Sequence, residues 1–208
     1  AASADNHATH VAGTMAAGGT DGNAKGMAYQ ASLEAYDWFG DLSEMSSAAA
    51  SGMLVSNHSY GYSQGWVWNG SEYEWYGDAT ISEEEDYLFG FYSKYSKKWD
   101  SIANLAPYYL MLKAAGNDRG EGPAENTTNH EPDGGSDGFD CIAHAALSKN
   151  ILTVGAVGDI TTDYTGPSDV EMTSFSTWGP ADDGRIKPDI SANGSYLYST
   201  SASGDDQY

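Results

Sequence analysis

Tyr108 to Ala115 (Tyr-Tyr-Leu-Met-Leu-Lys-Ala-Ala) is a near-continuous apolar run. A short run without polar alternation is what a strand buried on both faces of a parallel sheet requires. Parallel neighbours cannot be joined by a hairpin and need a crossover, usually a helix. The run therefore commits its flanks to alternating strands and helices. Upstream, Met53-Leu54-Val55 begins a strand that runs out in Ser56-Asn57-His58-Ser59-Tyr60-Gly61. Between the two, Ser82-Glu83-Glu84-Glu85 supplies a helix cap with negative charge at the positive end of the dipole. Leu88, Phe91, Tyr92, Tyr95, Trp99 and Ile102 follow at three- and four-residue spacing. That spacing predicts one long helix from Ser82 to the stop at Pro107, with Lys94, Lys97 and Lys98 toward its far end. Asp41-Leu42-Ser43-Glu44 reads as a helix start with Gly52 as its stop, and Met27 to Tyr36 as a run with a strand at its end. Downstream, Ala143 to Leu147 reads as a short helix and Ile151 to Val157 as a second buried strand. Segments 62–81 and 116–140 read as long loops, the first rich in Trp, Tyr and Glu. This alternation gives an α/β fold with a mostly parallel sheet, without internal repeats.

At 208 residues the length suits one domain with a substantial core. The formal net charge of −21 argues against nucleic acid as a partner, because phosphate binding needs clustered Lys and Arg. Such a surface serves solubility, salt tolerance or cation binding. No run approaches the length of a membrane span. The single Cys141 excludes an intrachain disulfide.

Two stretches carry chemistry. In Asn6-His7-Ala8-Thr9-His10-Val11-Ala12-Gly13-Thr14, Asp5 or Asn6 can cap a helix whose first turn holds His7. Small neighbours predict a slim, buried helix, and an imidazole at its end is placed as a general base would be. In Lys113-Ala114-Ala115-Gly116-Asn117-Asp118, Asn117 stands just past the carboxyl end of a buried strand, the edge where open α/β sheets bind ligands. Its amide can donate to an oxyanion. Read singly, each has a plainer meaning: a core helix, and a turn asparagine. Gly61-Tyr62-Ser63-Gln64-Gly65 fits a hydrolase nucleophile pattern, but that pattern needs a helix after the serine and a Trp- and Gly-rich loop follows. His7 and His10 could share a metal, yet a third ligand is not evident. Asp133, Asp137 and Asp140 in a Gly-rich loop could hold calcium, although the spacing is not an EF-hand and a solvated acidic loop is the plainer reading.

Taken together, the stretches resemble the subtilisin-like serine proteases (subtilases). His7-Ala8-Thr9-His10-Val11-Ala12-Gly13-Thr14 is similar to the family's histidine motif HGTHVAGT, and Ala114-Ala115-Gly116-Asn117 to its oxyanion segment. SFSTWGP followed by DGRIKPDISANGSYLYST (within 174–200) is similar to the segment that precedes the catalytic serine. GMAYQASL (26–33) is similar to GxAPxAxL, and Asn57-His58-Ser59-Tyr60-Gly61 stands where the family has NxSxG. Order and rough spacing agree from His7 to Thr200. The resemblance implies a subtilisin-like, three-layer α/β fold, and makes 1–208 part of a catalytic domain. It implies His7 as general base and Asn117 as oxyanion donor, both facing one cleft. It further implies Ser59, Tyr60 and Gly61 as the edge that pairs with an extended polypeptide substrate, and Ala114, Ala115 and Gly116 as one wall of the specificity pocket. It implies a secreted or periplasmic enzyme with no required cofactor.

The departures matter as much. The family's aspartate lies on a strand well upstream of the histidine, and Asp5 shares the turn of His7 instead. The serine motif GTSMA is not among these residues. Ala8 replaces the family's Gly and Asn193 its Pro. The expectation is a fold incomplete at both termini, a chain inactive by itself, and self-association through an uncovered core. The alternative is a non-catalytic scaffold that binds extended peptides along Ser59 to Gly61.

Overall fold

The computed structural model describes residues 5–124, 129–204 and 207–208; residues 125–128 of the expected 116–140 loop lie outside the described residues. The chain divides into two compact units, Ala1–Asp37 with Tyr196–Tyr208, and Trp38–Ser195.

In the first unit, α1 (Asn6–Ala16) starts under a cap from Asp5, whose carboxylate accepts from the Ala8 N–H at 2.7 Å. The segment after Tyr196 docks on this helix. Ser199 Oγ donates to the His10 carbonyl (2.9 Å), Thr200 Oγ1 to the Thr9 carbonyl (2.8 Å), and Asn6 Oδ1 accepts from the Ala202 N–H (3.0 Å). Gly13 permits the approach: a Cβ there would stand 2.1 Å from Thr200 Oγ1 and 2.7 Å from Ser199 Oγ. The expected buried helix is corrected, since Gly13 is its sole buried residue and His7 is exposed. The strand expected at the end of 27–36 is not formed either. Leu33 and Tyr36 are 48% and 52% exposed, and a strand needs a neighbour to satisfy its backbone groups.

In the second unit, four strands pair in parallel in the order β1-β4-β5-β6: β1 (Val55–His58), β4 (Leu110–Ala114), β5 (Leu152–Val157) and β6 (Ile190–Asn193). The α/β class with a mostly parallel sheet is therefore observed. One face of the sheet is covered by α2 (Asp41–Ala50) and α3 (Lys94–Leu105) around Met45, Trp99, Ile102, Tyr109 and Met111. The opposite face leaves Val55, Leu110 and Ile190 exposed, so the 108–115 run is buried on one face, not two.

Helix α2 ends as a Schellman motif, with Gly52 N–H on the Ala49 carbonyl, Met53 N–H on that of Ala48, and Gly52 at φ +94°. At its start Gly40, not Asp41, is the N-cap, and Asp41 turns its carboxylate inward. The long helix expected from Ser82 begins instead at Ser93, whose hydroxyl accepts from the Tyr95 and Ser96 N–H groups. Tertiary bonds outcompete helix before that point. Asp86, fully buried, accepts from Gly65 and Leu88 N–H, Gly90 N–H reaches the Ile142 carbonyl, and Gly90 sits at φ +67°. Lys94, Lys97 and Lys98 thus fall in the first half of α3, against the dipole preference. Segment 62–81 is not all loop. β2 (Trp66–Trp68) and β3 (Tyr73–Trp75) form an antiparallel ribbon, pinned where both Asp133 carboxylate oxygens accept from the Trp66 N–H.

Gly13→Ala gains about 1 kcal/mol of helix propensity, but the new methyl must push Thr200 off the Thr9 carbonyl. A net loss of about 1–3 kcal/mol is expected from urea unfolding, and Thr200→Ala in the same chain should recover part of it.

Candidate active site

The carboxyl ends of β1 and β4 frame a cavity of about 300 Å³. Ser59, Tyr60 and Gly61 line it as the chain leaves β1, and Ala114, Ala115, Gly116 and Asn117 as it leaves β4. These are the residues that the family resemblance put forward in this unit, and the fold brings all seven to one space. The short 3₁₀ turn His144–Leu147 contributes Ala145 and Ala146 to the same lining.

Gly116 makes the turn at φ +131°, a region that side chains disfavour. A Cβ there would meet Asp118 Oδ2 at 2.7 Å and Thr177 Oγ1 at 2.9 Å. The turn leaves Asn117 exposed at the rim. The stretch that reads in isolation as a turn and a short strand (174–190) braces this arrangement. Thr177 N–H donates to the Gly116 carbonyl (3.2 Å), Arg185 to the Leu147 carbonyl (2.8 Å), and Asp189 accepts from the Thr153 N–H (2.7 Å). Thr153 Oγ1 in turn donates to the Ala146 carbonyl at 2.7 Å, which ties β5 to the cavity lining.

Beneath the rim runs a buried polar chain. Tyr109 OH donates to Ser56 Oγ (2.7 Å), Ser56 Oγ meets His58 Nε2 (2.6 Å), and His58 Nδ1 meets Tyr60 OH (2.8 Å). Tyr60 and Tyr95 both donate to Asp41 Oδ2, at 3.3 and 2.5 Å. Ser56, His58 and Asp41 invite comparison with a hydrolytic triad, but the chemistry disagrees. Burial, with the Lys113 charge, pushes His58 down to about 4, too weak a base to activate a hydroxyl. Neither Ser56 nor His58 lines the cavity. The chain is structural, and its hydrogen bonds satisfy groups that would otherwise be costly to bury.

The remaining lining is acidic and aromatic. Asp118 accepts from Gln64 Nε2 at 2.8 Å, and burial raises its pKa. Glu121 is pushed up to about 7 by burial and then by the charge of Asp118. His144, at φ +52°, faces Tyr62 and Tyr95; among the described residues its buried Nε2 has no hydrogen-bond partner, and burial lowers its pKa. Glu121 and His144 are not marked by the sequence, and Gln64 stands there only inside the Gly61–Gly65 pattern. Lys113 stands only inside the apolar run and the Lys113–Asp118 stretch; a lysine inside such a run is the one available signal.

His7 lies in the first turn of α1, in the first unit, and Asp5 beside it is engaged in capping that helix. His10 Nε2 meets the Leu197 carbonyl at 3.1 Å. Ser63 is exposed, and the residues after it enter β2, so the helix that a G-x-S-x-G nucleophile needs is not formed. Asp133 spends its carboxylate on the Trp66 N–H, and among the described residues no group of three His, Cys, Asp or Glu is arranged to hold a metal ion.

The Subtilase family model matches residues 1–208. The chain is a subtilase. It is a serine peptidase by family. No curated protein matches it. In subtilase terms, the cavity's two strand ends are the segments that the motifs had singled out.

Glu121 titrates higher in the folded chain than in the unfolded one, so its ionisation opposes folding. Glu121→Gln should therefore be more stable than the parent chain at pH 8 and no different at pH 4, where both forms are neutral. Urea unfolding at the two pH values checks this.

Proposed function

We propose that this subtilase sequence serves peptide-bond hydrolysis by a serine-type endopeptidase mechanism. In it, His7 is the general base and Asn117 donates to the oxyanion of the tetrahedral intermediate. Ser59, Tyr60 and Gly61 pair with the backbone of an extended polypeptide by strand addition. Ala114, Ala115 and Gly116 form one wall of the pocket for the side chain before the scissile bond. What supports the reading is one observation: both strand-end segments and Asn117 line a single cavity at the carboxyl rim of a parallel sheet. The proposed chemistry draws on no cofactor, and a polypeptide is the partner, neither nucleic acid nor membrane. Among the described residues no helix is long and apolar enough to cross a membrane. Secretion is proposed from the family's habit.

Hydrolysis through an acyl-enzyme needs a nucleophile and a carboxylate that fixes the tautomer of the base. No residue among these 208 matches the family's serine or aspartate motif. The polypeptide 1–208 is therefore expected to turn over no chromogenic peptide and to take no fluorophosphonate label. Labelling would reveal a nucleophile outside the scheme. In the protein that the full coding sequence specifies, Asn117→Ala should lower kcat by about 10²–10³ with little change in KM. An unchanged kcat would remove Asn117 from the mechanism.

The second reading, a scaffold that binds extended peptides without cleaving them, is favoured by the edge position of β1 in the sheet. It needs only the binding half of the machinery. The exposed face of Val55, Leu110 and Ile190 also suits self-association of the isolated chain.

A further inference from the structure

Lys113 occupies a place where an aliphatic side chain would be expected. It stands in β4, opposite His58 of β1, on the face that the helices cover, and only 8% of it is exposed. Among the described residues its ammonium has no carboxylate within ion-pair distance. Burying a charge in this way is costly unless carbonyls replace the lost water. Here they do. Nζ donates to the Tyr60 carbonyl in a short hydrogen bond, and to the Ala114 carbonyl at 3.3 Å. Tyr60 is the middle residue of one cavity wall and Ala114 the first of the other.

We propose that Lys113 is a positioning residue, a buried ammonium that staples the backbone of Ser59–Gly61 to the end of β4 and so sets the spacing between the two peptide-binding walls. The inference rests on the reading of 59–61 and 114–116 as the peptide-binding segments. Strand β1 ends at His58. Among the described residues no sheet ladder holds Ser59 to Gly65, so the position of the Tyr60 carbonyl must be fixed by side chains. On one side the Tyr60 ring is held by His58 and Asp41; on the other its carbonyl is held by Lys113. The charged and titratable groups around the amine are Asp118 beyond β4, Asp41 of α2, His58 and Tyr60 of the β1 wall, and His144 of the 3₁₀ turn. Burial outweighs the two carboxylates and brings the amine down to about 8, so it carries its charge at neutral pH.

The test uses the full 208-residue chain, Lys113→Met, and a dansyl-labelled Ala-Ala-Ala-Phe amide as probe. Methionine fills the volume of the lysine stem without a donor. The variant should unfold cooperatively at the parent temperature or above it, because an unpaired buried charge is gone. Its affinity for the probe should nevertheless fall by roughly 10- to 100-fold, the range for a lost charge-assisted hydrogen bond. In the parent chain binding should weaken as pH rises past 8, and in the variant this inflection should be gone. His58, followed by NMR, should titrate higher in the variant, since the ammonium is one of the causes that hold it down. Equal affinity and the same pH profile in both chains would overturn the inference. A parent chain that binds no probe would instead overturn the peptide-binding reading beneath it, whereas a shift of His58 in that case would still place the ammonium against the wall.

Discussion

Parallel pairing of β4 with β1 on one side and β5 on the other directs three strand ends to the same rim. Everything chemical in the second unit follows from this direction. An antiparallel neighbour would have sent Ser59–Gly61 and Ala114–Asn117 to opposite ends of the sheet. Parallel strands cannot turn back on themselves, so each rim segment must leave into a loop or helix. The loops are consequently held by side chains and single backbone bonds. Thr177 on Gly116, Arg185 on Leu147 and Lys113 on Tyr60 are bonds of that kind.

A second constraint is charge. Thirty carboxylates against nine Lys and Arg leave few cations to go round. Buried acids are therefore answered by N–H and O–H donors more than by ion pairs. Asp86 takes Gly65 and Leu88, Asp133 takes Trp66, Asp100 takes Lys149 and Asn150 through their backbone, and Asp41 takes two tyrosines. At Asp133 burial outweighs the Trp66 N–H, and the carboxyl is pushed up to about 9.

Local signals were legible where they act locally. The Asp5 cap, the Gly52 stop, the strands of the sheet core and the Asn117 turn could each be read from a few adjacent residues. The failures share a cause. The charge and apolar spacing of 82–105 describe one long helix, yet Asp86, Phe89 and Gly90 are claimed by Gly65, Ala143 and Ile142. Trp66 and Trp75 look like loop aromatics until their rings meet at 5.3 Å across a ribbon. A partner outside the local window leaves no mark in a local pattern.

By itself the sequence determined the α/β class and the family, because periodicity and motif order are properties of the chain. Only the tertiary structure decided that Ser56 and His58 form a buried scaffold and no catalytic pair, since a base is weakened by surroundings that the sequence does not display. It likewise decided the role of Lys113. In the sequence that residue is an interruption of an apolar run; in the fold its amine is the donor shared by two walls, because parallel register sets β4 beside β1.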